Sequence, residues 1–193
     1  KLNNKTKKFE DILDGLKSTD NAQIKAMTVY NSELYVGGYY YDTGDNENYQ
    51  YVAKLNNKTK KFEDILDGLK SGSYGYGYIY TMTVYNSELY VGGFYYDTGD
   101  NKYYQYVAKL NEDGKTFESI LDGLESSSIY GYINAMAVYK DELYVSAFYN
   151  NDSKVNKYIA KLTEDGKTFK DDFTGLKSSN DADITAMVVY EPV

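Results

Sequence analysis

Tyrosine side chains beside acidic side chains could bind a sugar, and both recur in polar segments of this sequence. Tyrosines alternate with glycines near 74–78 and at 130–132, and the sequence Asp-Thr-Gly-Asp-Asn occurs at 42–46 and 97–101. Aromatic rings stack on the apolar faces of sugars, and carboxylates accept hydrogen bonds from hydroxyls. The candidate ligand-binding residues are Tyr74, Tyr76, Tyr78, Tyr130, Tyr132, Asp42, Asp45, Asp97 and Asp100. The alternative is that the tyrosines pack the loops together and the acids form turns.

The Asp-Thr-Gly-Asp-Asn segments also carry the oxygen ligands that calcium prefers. Each segment is shorter than a full calcium-binding loop and lacks the distal glutamate that completes such a loop with two oxygens. Turn formation is therefore the simpler interpretation, and we predict no metal site.

Catalytic chemistry has few candidate residues. The sequence contains no Cys and no His, so proton transfer would fall to carboxylates, Lys, Ser, Thr or Tyr. Paired carboxylates at Glu63-Asp64 and Asp171-Asp172 could hydrolyse a glycosidic bond, but neighbours on a strand point to opposite faces. We predict no catalytic residue and no cofactor, and a carboxylate-dependent glycosidase or lyase remains an alternative.

The overall charge argues against two classes of partner. The 193 residues carry a net charge of -8, which would repel nucleic-acid phosphates and anionic lipid headgroups. No stretch approaches 18 consecutive apolar residues, so no membrane insertion is predicted. The chain opens at Lys1 without a signal-peptide pattern, which favours a mature or excised product.

An internal repeat of roughly 53 residues organises the whole chain. The segment KLNNKTKKFEDILDGLKS occurs at 1–18 and again, letter for letter, at 54–71, and variants of it begin at Lys109 and Lys161. A second segment alternates with it: AMTVYNSELYVGG from Ala26, TMTVYNSELYVGG from Thr81, AMAVYKDELYVSA from Ala135 and AMVVYEPV from Ala186.

Each period contains four short apolar runs separated by turn residues, which is typical of antiparallel β-strands. In the first full period the predicted strands A to D are 26–30, 34–41, 49–55 and 61–66. Val, Tyr, Ile and Thr are frequent in these runs, and Asp113-Gly114 and Asp165-Gly166 are strong hairpin turns. The predicted fold class is therefore all-β.

Strands A and B are apolar at successive positions, as in Leu34-Tyr35-Val36, so both faces of each sheet should be covered. Four-stranded sheets stacked around an axis, as the blades of a β-propeller, satisfy this requirement. In such a blade the D–A and B–C loops lie on the same side, which would bring the candidate tyrosines and aspartates together.

The repeat resembles known propeller families. ELYVGG at 33–38 and 88–93, followed by a hairpin that ends in an aromatic residue, resembles a kelch-type blade. The longer order AMxVYxxELYVGG, polar loop, YVAKL and aromatic strand is similar to tandem propeller repeats of bacterial surface and secreted proteins. This resemblance implies a single array of about four blades: a partial blade at 1–18, blades at 22–71, 77–126 and 131–178, and a final strand at 184–190. Ser146-Ala147 departs from it by replacing the glycine pair.

The predicted strands do not complete a fourth blade, because strands C and D begin the chain, strand A ends it, and no fourth B strand is present. We therefore predict that the chain is a piece of a larger propeller or completes its ring with another copy. Open sheet edges promote such association.

The leading functional hypothesis is a non-catalytic extracellular or cell-surface binding or scaffold module that contacts proteins or glycans. A fold of this type hosts enzymes, lectins and scaffolds, so the repeat alone does not decide between them. A structural protein that assembles into a fibre or surface layer through open blade edges is the other alternative.

Overall fold

The computed structural model describes residues 5–6, 16, 22–42, 44, 46–65, 77–97, 99, 101–120, 130–151, 154–171 and 184–189. All regular secondary structure in these residues is β, and it forms three four-stranded antiparallel sheets. The all-β, four-stranded prediction is thus confirmed in three copies. No helix in the described ranges is long and apolar enough to cross a membrane.

The strands follow one another in space as they do in sequence, in the order first to fourth within each sheet. Sheet 1 contains β1 (Gln23–Tyr30), β2 (Glu33–Asp42), β3 (Glu47–Leu55) and β4 (Phe62–Asp64). Sheet 2 contains β5 (Gly77–Tyr85), β6 (Glu88–Asp97), β7 (Lys102–Leu110) and β8 (Phe117–Ser119). Sheet 3 contains β9 (Tyr130–Tyr139), β10 (Glu142–Asn151), β11 (Lys154–Leu162) and β12 (Phe169–Asp171).

Tight turns fix the register of each sheet. The first and second strands are joined by two residues that both have positive φ, such as Asn31 and Ser32 at 48° and 62°. This geometry suits the twist of a two-residue hairpin. In the later turn of sheet 2, Asp113 Oδ1 accepts hydrogen bonds from the backbone N–H groups of Lys115 and Thr116. These bonds hold the pKa of Asp113 below its usual value.

An ion pair recurs beside the first hairpin of every sheet. A lysine from the third strand lies 3.0–3.2 Å from the glutamate that begins the second strand, in the pairs Lys54–Glu33, Lys109–Glu88 and Lys161–Glu142. Tyr144 donates a hydrogen bond of 2.6 Å to Glu142. That bond, followed by the one from Lys161, lowers the pKa of Glu142.

Two clusters of buried side chains fill the spaces between neighbouring sheets. Tyr35 from sheet 1 and Leu89 from sheet 2 belong to one cluster. Tyr90 from sheet 2 and Leu143 from sheet 3 belong to the other. Because successive residues of β6 enter opposite clusters, both faces of the middle sheet are covered, as the sequence pattern predicts.

Glycines allow the sheets to approach closely. A Cβ atom at Gly37 would lie only 2.9 Å from Ile79 Cγ2 and from Met82 Sδ of the next sheet. The equivalent Gly92 would meet Ile133 Cγ2 of sheet 3 at 3.0 Å. The glycine in strand B thus provides the flat surface on which the next first strand packs.

Three of the candidate tyrosines lie on strands and not in loops, which corrects the sequence-based assignment. Tyr78 belongs to β5, and Tyr130 and Tyr132 belong to β9. Aromatic and β-branched residues continue the pleat at these positions, and the strands extend until Tyr78 pairs with Phe94 and Tyr132 with Phe148. The first strand of sheet 1 likewise begins at Gln23, three residues before its predicted start.

Residues 184–189 lie where the next first strand would be. Ser146 donates a hydrogen bond of 3.0 Å from its hydroxyl to the backbone oxygen of Ile184. The segment forms no β-ladder with other described residues, so the predicted strand at 184–190 stays a prediction. The predicted partial blade at 1–18 lies outside the described residues except at 5, 6 and 16.

Candidate functional site

A cleft lined almost entirely by aromatic rings crosses the start of the first strands. We call it the aromatic cleft, and its volume is about 430 Å³. It is lined by Lys25, Tyr39, Tyr78, Tyr80, Phe94, Tyr103, Gly131 and Tyr132. These residues come from all three sheets, so stacking of the sheets is what creates the cleft.

A β-bulge in the first strand of each sheet provides an extra position near this cleft. Lys25 in β1 and Tyr80 in β5 lie where the register with the second strand shifts, and Asn134 occupies the same position in β9. A bulge re-aims side chains, which is why bulges are frequent beside functional sites. Lys25 and Tyr80 both line the cleft.

Ring contacts make the aromatic surface continuous between sheets. The rings of Tyr39 and Tyr78 meet edge to face with centroids 4.1 Å apart, which joins sheet 1 to sheet 2. The rings of Tyr80 and Tyr132 have centroids 6.1 Å apart and join sheet 2 to sheet 3. Tyr132 stacks in turn on Phe148 at 4.6 Å. These contacts restrict the ring orientations and so preorganise the surface.

Phe94 forms the buried base of this surface. It is 5% exposed, and its ring centroid lies 4.9 Å from that of Tyr78 and 5.6 Å from that of Tyr103. Gln50 of sheet 1 donates a side-chain hydrogen bond of 3.4 Å to the backbone oxygen of Phe94. The tyrosines around this base are half-buried, so part of each ring remains accessible.

Lys25 is the one charged residue that lines the cleft among the described residues. Its Nζ atom lies 5.8 Å from the centroid of the Tyr39 ring, within the range of a cation–π interaction. The cleft therefore combines apolar ring faces, phenolic hydroxyls and one ammonium donor.

The residues that line the cleft differ between repeats, whereas the scaffold residues are shared. The three first strands contain Ile-Lys-Ala-Met, Ile-Tyr-Thr-Met and Ile-Asn-Ala-Met, with Ile and Met in common and the bulge residue different in each. The residue before the Ile is Gln23, Tyr78 or Tyr132. Variation at these positions, within an otherwise repeated strand, is typical of a surface specialised for one ligand.

The candidate residues from the sequence are only partly brought together. Tyr78 and Tyr132 line the cleft, and they lie on neighbouring first strands. The backbone of Tyr130 belongs to β9, and the backbones of Asp42 and Asp97 end β2 and β6, but their side chains lie outside the described part. Tyr74, Tyr76, Asp45 and Asp100 also lie outside the described residues.

The B–C turns that carry these aspartates contain a tyrosine–asparagine contact in two sheets. Tyr41 donates a hydrogen bond of 3.0 Å to Asn46 Oδ1, and Tyr96 donates one of 3.1 Å to Asn101 Oδ1. Asn46 and Asn101 both have positive φ, which asparagine tolerates better than most residues. Both asparagines thus have turn roles. The described residues hold no group of three acidic, His or Cys side chains that could bind a metal.

Sequence reasoning missed six aromatic or basic residues of this surface. Tyr39, Phe94 and Phe148 belong to second strands, Tyr103 belongs to a third strand, and Lys25 and Tyr80 are the bulge residues. The signal that could have found Lys25 and Tyr80 is their variation between otherwise equal repeats. The other four require knowledge of which sheet packs on which.

The paired carboxylates Glu63 and Asp64 lie in a different cleft, of about 520 Å³, at the opposite ends of the strands. Glu63 accepts a 2.6 Å hydrogen bond from Asn56 Nδ2, and both acids are exposed on the short strand β4. Asp113, which also lines this cleft, holds its own turn together. The other pair, Asp171-Asp172, lies at the edge of the described part, where neither side chain is described.

Comparisons with known proteins give no family. No protein-family model and no curated protein matches the chain. Two solved structures align with 89% of it at 12% identity: one named "Glycoside hydrolase", with a TM-score of 0.48, and one named as a complex of BT0996 and RGII, with a TM-score of 0.47. The chain spans 62% of the length of each. At these values the similarity indicates no function, so the function has to be inferred from the aromatic cleft itself.

Proposed function

We propose that this chain is a non-catalytic binding module of a cell surface or the extracellular space, and that it binds a glycan in the aromatic cleft. The observation that carries the proposal is one continuous aromatic surface, built by three sheets and ending beside Lys25. A volume of about 430 Å³ accommodates a small number of sugar units.

The chemistry of the cleft suits a sugar better than a purely apolar ligand. Ring faces of Tyr78, Tyr80 and Tyr132 can stack on the C–H faces of pyranose rings, and their hydroxyls can donate to and accept from sugar hydroxyls. Lys25 can donate to a hydroxyl or pair with a carboxylate of an acidic sugar. No described carboxylate lines the cleft.

We also propose that the three sheets are blades of a β-propeller. The first strands β1, β5 and β9 contact one another in succession. The fourth strands β4 and β8 have no contact of similar extent within the described ranges. Sheets that are close at their first strands and apart at their fourth strands form wedges, which is how blades surround an axis. Propeller blades would place the aromatic cleft on one side of the disc.

Binding to oligosaccharides tests the proposal. The purified chain is titrated calorimetrically with a panel of neutral and uronate-containing oligosaccharides. Tyr78→Ala and Tyr132→Ala should each weaken binding of the best ligand by about tenfold or more, because stacking of a ring on a ligand is worth on the order of 1–2 kcal/mol. Lys25→Met should weaken binding of acidic sugars more than that of neutral ones.

Tyr139→Ala is the matched control. Tyr139 is exposed, Lys140 lies over its ring at 5.1 Å, and the pair is at the opposite end of the first strand. It therefore reproduces the Lys25–Tyr39 contact outside the cleft. Equal loss of binding in Tyr139→Ala and Tyr78→Ala, or no binding to any member of the panel, would contradict the proposal. Release of reducing ends from a bound oligosaccharide would show that the module is an enzyme.

A further inference from the structure

The first and last parts of the described chain expose two apolar surfaces that are buried everywhere else in the repeat. In β1, Met27 is 67% exposed and Val29 is 64% exposed. The equivalent methionines of the next sheets, Met82 and Met136, are 9% and 7% exposed. We call Ile24, Met27 and Val29 the leading face; the term refers only to β1.

The second surface is on residues 184–189. Ile184 and Met187 are half-buried, whereas Thr185, Ala186 and Val188 are exposed, and Val188 is 91% exposed. The hydrogen bond from Ser146 places Ile184 against sheet 3, as Ile133 is placed against sheet 2 at Gly92. We call Ala186 and Val188 the trailing face.

The repeats themselves show what each face packs against. Ala26 and Tyr30, on the side of β1 that corresponds to the trailing face, pack on the cluster that contains Ile79 and Met82. One repeat later, Thr81, equivalent to Ala186, accepts a 3.2 Å hydrogen bond at Oγ1 from the backbone N–H of Met136. Two sheet contacts in the chain thus join a trailing-type surface to an Ile-x-x-Met surface.

From this pattern we infer that the trailing face of one molecule docks on the leading face of a second copy of this chain. Both faces are exposed in the same molecule, so they do not cover each other within it. Each matches, residue for residue, one half of a contact that the chain makes internally. The rest of that side of sheet 1 is already filled, since Val36, Tyr51, Ala53 and Phe62 are buried and Leu16 packs against them. Only the leading face is open there.

Such a contact is heterologous, because two different surfaces meet. A heterologous contact generates a closed ring when its rotation closes and a filament when it does not. Complementary point substitutions therefore distinguish it from any symmetric dimer. Met27→Lys destroys only the leading face, and Val188→Lys destroys only the trailing face. Both residues are exposed, so neither change should affect folding of the single molecule.

Mass measurement by light scattering over a concentration series tests the inference. The unmodified chain should form species larger than a monomer as concentration rises, and each variant alone should associate at least about tenfold more weakly, since an apolar contact is replaced by a buried ammonium. An equimolar mixture of the two variants should recover a one-to-one dimer and nothing larger, because one intact contact remains. Tyr139→Lys, an exposed aromatic outside both faces, should associate like the unmodified chain.

The four methionines give an independent readout. Met27, Met82, Met136 and Met187 occupy the same position in successive repeats, so methyl-labelled methionine reports one signal per sheet contact. On association the Met27 signal should shift and lose its contact with a soluble paramagnetic agent, while Met82 and Met136 stay unchanged. A monomer at every concentration, failure of the mixture to dimerise, or a Met27 signal already protected in the dilute monomer would overturn the inference.

Discussion

At the residue scale, the second strands carry tyrosines whose rings are almost completely buried. Tyr35 and Tyr90 are each 2% exposed, and each follows a glutamate by two positions. Burial raises the pKa of Tyr35 to about 12, and the nearby Glu33 adds to this effect. Burial, together with a hydrogen bond to Glu88, also raises the pKa of Tyr90. Both phenols must therefore remain protonated for the sheets to pack.

These shifts predict how stability depends on alkaline pH. A group whose pKa is raised in the folded state stabilises that state below its unfolded pKa and loses this contribution as pH rises through the folded value. For Tyr35 the window runs from pH 10 to about 12. We expect Tyr35→Phe to flatten the fall in unfolding free energy across this window, measured by urea titration at several pH values.

The control for this effect is Tyr139→Phe, which removes an exposed hydroxyl. It should leave the pH dependence unchanged. The absorbance of phenolate gives a second measure, since Tyr35→Phe should remove one group that ionises late. An identical alkaline profile in Tyr35→Phe and the unmodified chain would show that the buried phenol does not set the limit.

At the element scale, the glycine pair of strand B has two different functions. A Cβ atom at Gly93 would lie 1.8 Å from the backbone oxygen of Tyr78, whereas Gly92 faces side chains of the next sheet. Sheet 3 carries Ser146 and Ala147 at these positions. There the Ser146 hydroxyl accepts a 3.0 Å hydrogen bond from the backbone N–H of Ala135. The third bulge thus has a side-chain partner that the glycines cannot provide.

We expect Gly93→Ala to destabilise the chain by at least about 2 kcal/mol, because backbone would have to move to admit the methyl group. The reverse change at the equivalent site, Ala147→Gly, should cost only about 1 kcal/mol, the value of a lost methyl contact and added chain freedom. Chemical denaturation of both variants measures the difference. Equal costs would mean that the bulge of sheet 2 is as adaptable as that of sheet 3.

Strand existence and order were predictable from sequence, because each repeat shows four apolar runs with turn residues between them. Asn31 and Ser32 have the positive φ values expected of a two-residue hairpin, and Gly114 has the φ expected after Asp113. Strand starts were not predictable, because tyrosines such as Tyr78 suit both an aromatic loop and a strand. Bulges were also missed, since an extra residue leaves no mark in an apolar run.

The candidate site was predictable only in part for the same reason. The tyrosine-rich segments drew attention to Tyr78 and Tyr132, which do line the cleft. Tyr39 and Phe94 are indistinguishable in sequence from other strand aromatics. Their place in the cleft depends on how one sheet packs on the next, which is a tertiary property that no local pattern encodes.

At the scale of the whole molecule, the shared clusters connect the sheets as nearest neighbours. One cluster joins sheets 1 and 2, and the other joins sheets 2 and 3. The middle sheet contributes to both, whereas sheet 3 contributes to one. In repeat arrays of this kind, stability is approximately a sum of terms for each unit and each contact between neighbours. The cost of a core substitution should therefore spread differently from different sheets.

Leu143→Ala and Leu89→Ala test this connection, because both leucines are 0% exposed and occupy equivalent positions. Each should cost about 2–5 kcal/mol. Leu143→Ala weakens only the contact between sheets 2 and 3, so sheet 3 should unfold first and the Met136 methyl signal should disappear at lower urea than that of Met82. Leu89→Ala weakens the contact between sheets 1 and 2, so the order should reverse. Simultaneous loss of both signals in both variants would mean that the three sheets unfold as one cooperative unit, with contacts too strong for any sheet to separate.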